Sequence, residues 1–214
     1  MLIMSAFLET FDVGDFVLWP IAEPTADRRL TLSARLAPSE VSRAMAVLMS
    51  YNGRESTDGR DGPATDPAEL ARRVLAGEDL AAPGGLRVRD TYTGLEVVSG
   101  CCTGLENWRE WFGLLDGEAL WIGHDPWPRV ELTGNVVHLW PDVRPDGPPP
   151  AEERLEIALA DLPALLAGVH ENLRGFLASA AEWADTHVPE SATELIARID
   201  AGLNISAPGA EDED

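Results

Sequence analysis

Apolar residues recur at helical spacing most clearly after position 160. Leu162, Leu165, Leu166, Val169, Leu173, Phe176, Leu177, Ala180 and Trp183 form one stripe behind Asp161, an N-cap residue type. The spacing predicts a long amphipathic helix, followed by a shorter one from about Ser191 to Ala201. A similar stripe, Val41, Ala44, Met45, Leu48 and Met49, begins behind Pro38 and stops at Asn52-Gly53. Asp66-Pro67-Ala68-Glu69 supplies a cap, a first-turn proline and a capping-box glutamate for a helix ending near Gly77. Thr103-Gly104-Leu105-Glu106 reads the same way and predicts an α-helix with Leu105, Trp108, Phe112 and Leu115 on its apolar face, closed by Gly117.

Period-two alternation predicts the strands. Leu30, Leu32, Ala34 and Leu36 share one face, and the stretch from residue 5 to 19 holds one or two strands. Leu86–Val98 is rich in β-formers, interrupted by a turn at Thr93-Gly94. Further strands are expected at Leu120–Gly123, Arg129–Leu132 and Val136–Trp140, the last two joined through Thr133-Gly134-Asn135 as a hairpin. Leu155, Ile157 and Leu159 alternate as another. Strands come in adjacent runs and never alternate singly with helices. The expectation is an α+β fold, a mostly antiparallel sheet with helices packed on one side. Residues 1–206 are expected to form a single domain, with flexible loops near 54–65 and 141–150 and a disordered acidic tail over 207–214.

Charge changes the picture of partners. Thirty-seven acidic residues face sixteen basic ones, a formal net charge of −21, and every cation is arginine. Arginine without lysine, alongside abundant Ala, Gly and Pro, is what a GC-rich genome produces, so part of this composition reflects the host. Whatever its origin, the field repels nucleic acid and anionic lipid and attracts basic proteins. The excess is concentrated beyond Ala151, where fourteen carboxylates oppose three arginines. The N-terminus lacks a basic leader and no apolar run spans a bilayer, so the expected location is cytoplasmic. The only cysteines, Cys101 and Cys102, are adjacent and cannot staple distant segments, which agrees with a reducing compartment.

That vicinal pair is also the first candidate for chemistry. It precedes a predicted helix N-terminus, where unpaired N–H groups and the helix dipole stabilise a thiolate. A nucleophilic thiol also needs a base, and His124 or His138 in the following strands would supply one. The competing account makes both thiols small core residues. His124, Asp125 and His138, with or without a cysteine, are a candidate metal set. Zinc spacings such as CxxC or HExxH are absent, and His-Asp-Pro-Trp-Pro also reads as a plain turn. No metal site is therefore assigned from sequence, and no cofactor is expected. P-loop, dinucleotide, nucleophile-elbow and kinase signatures are absent as well.

The remaining candidates concern binding. Five tryptophans fall between positions 108 and 140; Trp111 and Trp127 stand off the apolar stripes as candidate anchors, with core and anchor readings balanced for Trp127 and the core favoured for the other four. Glu171, Glu182 and Asp185 mark the polar face of the long helix. The leading expectation is a non-enzymatic binding protein that engages a basic protein, of which a bacterial immunity protein neutralising a toxin is one form. A thiol-dependent enzyme using Cys101 or Cys102 and a metal-binding protein stand as alternatives.

Overall fold

A computed structural model describes residues 1–10, 16–53, 62–143, 147, 150 and 153–206. The fold is α+β, built on two antiparallel sheets. β1 (Leu2–Glu9) is flanked by β2 (Arg29–Thr31) and by β3 (Gly84–Asp90), and β4 (Glu96–Val98) closes the far edge of β3. Phe7 pairs with Thr31 on one side and Gly85 on the other. The second sheet is the meander β5 (Arg129–Thr133), β6 (Val136–Trp140) and β7 (Leu155–Ala158).

The helices follow the sequence pattern closely. α1 (Pro38–Asn52) and α2 (Pro67–Ala76) both start on a first-turn proline. The Asp66 carboxylate accepts from the Glu69 N–H and so caps α2. Glu69 turns back to the Thr65 N–H and to Arg73, which holds its carboxyl down to about 2. α3 (Leu162–His187) buries Leu162, Leu166, Val169, Leu173, Phe176, Ala180 and Trp183 and packs on β1, α1 and α4 (Ala192–Gly202). Among the described residues no helix is long and apolar enough to cross a membrane.

Several expectations are corrected. The expected strand over Leu30–Leu36 pairs only as far as Thr31: Ala34 is exposed, so the alternation carries no buried face beyond Leu32. The first strand starts at Leu2, and of the stretch expected to hold strands, residues 16–19 form none. Leu120–Gly123 forms no strand, and the next residue, His124, makes only an isolated bridge. The expected flexible loop at 54–65 falls outside the described residues for 54–61, that at 141–150 for 144–146 and 148–149, and the tail 207–214 falls outside them entirely.

The largest departure is the segment behind Thr103. It is a 3-10 helix, Leu105–Asp116, and its buried residues are Leu105, Trp108, Trp111 and Leu114. That period of three is the 3-10 repeat, in which residues i and i+3 eclipse. Trp111 therefore lies in the core at 3% exposure, the favoured reading for it, and drops out as a candidate anchor. Of the other two residues assigned to an α-helical stripe, Leu115 is exposed and Phe112 is half-buried against the core. The N-cap is Gly104, with no side-chain cap bond. Glu106 instead accepts from the Ala82 N–H at 2.9 Å, tying the helix start to the chain entering β3. On the other face Trp108 donates to the Leu203 carbonyl and Arg109 to that of Asn204, fastening the end of α4.

Candidate functional site

Beyond β4 the chain runs Ser99-Gly100-Cys101-Cys102 and lies against Ile122-Gly123-His124. Gly100 donates to the Ile122 carbonyl, and Cys101 and His124 exchange both backbone hydrogen bonds, at 2.6 and 3.1 Å. Two glycines permit this approach. A Cβ on Gly100 would stand 2.5 Å from the His124 carbonyl oxygen, and one on Gly123 the same distance from that of Cys101. Gly123 also takes a φ of 93°, which side chains rarely adopt.

This bridge sets three donor atoms together. The Cys101 sulfur is 3.1 Å from Nδ1 of His124 and 3.8 Å from the Cys102 sulfur, and the three donors all lie within 4.8 Å of one another. Adjacent residues on an extended strand would point to opposite faces. Cys102 has a left-handed backbone, φ 64°, and the turn it makes carries its thiol round to that of Cys101. Holding a non-glycine residue there costs about 1–2 kcal/mol, which the surrounding bonds must offset.

Both thiols are exposed and line a cavity of about 420 Å³ with Glu9, Tyr51, Glu106 and Asn107. Desolvation, the Cys102 thiol, and the carboxylates of Asp125 and Glu9 push the Cys101 thiol above its ordinary value. The His124 ring stands near those of Trp121 and Trp127, at 6.4 and 5.2 Å. Both tryptophans are exposed, at 55% and 44%. Trp127 thus keeps the exposure that an anchor needs, while Trp121, expected in the core, does not lie there.

His138 is not part of this group. It sits in β6 between Glu131 and Glu156 of the neighbouring strands, 3.4 Å from the Glu156 carboxylate, with its ring against Trp140. The pairing of His138 with His124, as metal ligands or as alternative bases for the thiols, is replaced by a thiol–imidazole cluster around His124 alone. Glu171, Glu182 and Asp185 are exposed along α3, as the polar face of that helix requires.

Sequence reasoning named His124 as a partner for the thiols but not the backbone bridge that brings it to Cys101, and it missed Glu9 in the cavity wall. One signal was present in the chain. Two of the three donors follow a glycine, Gly100-Cys101 and Gly123-His124, and a glycine inside a strand-like segment marks a close backbone approach.

No protein-family model, curated protein or solved structure matches the chain.

Proposed function

We propose that this protein binds one soft transition-metal ion of the zinc class through the sulfurs of Cys101 and Cys102 and a ring nitrogen of His124. The observation that carries this reading is the sulfur–sulfur separation of 3.8 Å. Two thiolates on one zinc, each about 2.3 Å away at a tetrahedral angle, stand about 3.8 Å apart. The imidazole at 3.1 Å from Cys101 supplies a third donor of the type zinc prefers.

Charge favours the same reading over a free nucleophile. A reactive cysteine needs cationic surroundings to hold a thiolate at neutral pH. Cys101 has His124 beside it, but desolvation, the Cys102 thiol and the carboxylates of Asp125 and Glu9 push its thiol above the ordinary value. A metal ion reverses this balance, because it displaces the thiol protons and is attracted by the same carboxylates. The thiol-enzyme alternative therefore ranks below metal binding.

Titrating the reduced full-length chain with Zn²⁺ against a chromophoric chelator tests the proposal. One equivalent should be withheld from the chelator, and Cys101→Ser or Cys102→Ser should release it. A wild-type chain that withholds no zinc overturns it.

A second reading has separate support. Glu171, Glu182 and Asp185 are exposed on one helix, and Trp127 presents an apolar ring. These features suit a basic protein partner, including a toxin held by an immunity protein. Salt-sensitive binding to such a protein that survives charge reversal at all three positions would exclude the helix as the docking face.

A further inference from the structure

Three donors are one short of the four that a tetrahedral zinc-class ion takes, and the position of the fourth has consequences. The two sulfurs line the 420 Å³ cavity, and His124, 3.1 Å from the Cys101 sulfur, is not among its lining residues. A metal held by all three would sit at the cavity wall, with this space beside its remaining coordination position. Resting on the metal-binding proposal, we infer that this position is open to an exogenous ligand, and that the ligand is a small neutral nitrogen or sulfur donor and not an anion.

The size and charge of the cavity support both halves. About 420 Å³ falls within the range of small-molecule sites. Two thiolates neutralise a divalent ion, so the centre offers an incoming anion no net positive charge. Glu9 and Glu106 line the cavity and Asp125 adjoins Cys101, adding negative charge around the open position. A lone pair on an uncharged amine, imidazole or thiol meets no such repulsion. Glu106 is already committed to the Ala82 N–H. Glu9 stands at the end of β1, and its carboxylate is not in the group of donors that converge within 4.8 Å, so it counts as charge in the wall.

The cobalt(II) form of the full-length reduced protein provides the test, with imidazole and azide as probes. One equivalent of Co²⁺ should give tetrahedral d–d bands. Imidazole should shift them and saturate at a concentration at least about tenfold below that needed for azide, the ratio expected from charge repulsion at a few ångströms. In Glu9→Gln the bands without added ligand should be unchanged, and the gap between imidazole and azide should narrow. Absence of the bands would defeat the metal-binding proposal itself. Bands that imidazole leaves in place, or that change on Glu9→Gln alone, would mean a closed site and overturn the inference. Azide binding as tight as imidazole would overturn the choice of a neutral donor.

Discussion

His124 and His138 both stand beside paired backbone, but the two pairings differ in kind. His138 lies inside a regular three-stranded meander, where its neighbours are the cross-strand residues that register dictates, Glu131 and Glu156. His124 lies on an isolated bridge between two irregular segments, held by glycines at both ends, and its neighbour is a thiol that no ladder would have placed there. A histidine between carboxylates in a ladder is accounted for by the sheet itself. The irregular bridge uses left-handed backbone at Cys102 and Asp125 and two glycines with no room for a side chain, and its outcome is a set of converging donors. Local departures from regular structure mark the site better than the residue type does.

Removing each histidine in turn separates the two regions most sharply. His124→Ala should weaken zinc binding roughly 100-fold or more, since a structural zinc's binding energy divides into a few kcal/mol per ligand. His138→Ala should leave zinc affinity unchanged, and equal losses in a chelator competition would erase the distinction. Glycine substitutions come next. Gly123→Ala meets the Cys101 carbonyl and should destabilise the chain by about 2 kcal/mol or more, with loss of zinc binding. Gly134→Ala in the β5–β6 turn has the same backbone sign, φ 59°, but open space around it. It should cost about 1 kcal/mol in denaturant unfolding and leave zinc binding intact.

The two regions were also unequally legible in the sequence. The regular parts could be read: 26 residues of α3 with a sustained stripe, the prolines opening α1 and α2, and the Thr133-Gly134-Asn135 turn. Periodicity works where one repeat persists and one face is buried. Around the site it failed for a physical reason. Leu105, Trp108, Trp111, Phe112, Leu114 and Leu115 satisfy a period of three and of 3.6 alike, and tertiary packing against the end of α4 accompanies the shorter one. The Cys101–His124 contact depends on a single bridge with no repeat at all, so only the two glycines announced it.

Acidity supplies a subtler contrast. Cys101 binds its proton more tightly in the folded chain than in the unfolded one. Without metal its contribution to stability is full below the ordinary thiol pKa and is lost as pH rises through the folded value. Apo unfolding midpoints should fall at alkaline pH, and Cys101→Ser should flatten that fall. Zinc affinity should run the opposite way and rise with pH, because binding releases the thiol protons. The smallest effect belongs to the ladder: Glu156→Gln, at a carboxylate half open to solvent, should change stability by less than about 1 kcal/mol, with no effect on zinc.

Zinc K-edge X-ray absorption on the stoichiometric complex reads the donor set itself. Two sulfur donors and one imidazole nitrogen in the zinc shell, unchanged in His138→Ala, are the predicted result. A shell of nitrogen and oxygen alone, or one that loses its imidazole when His138 is replaced, would contradict the assignment of Cys101, Cys102 and His124 as the ligands.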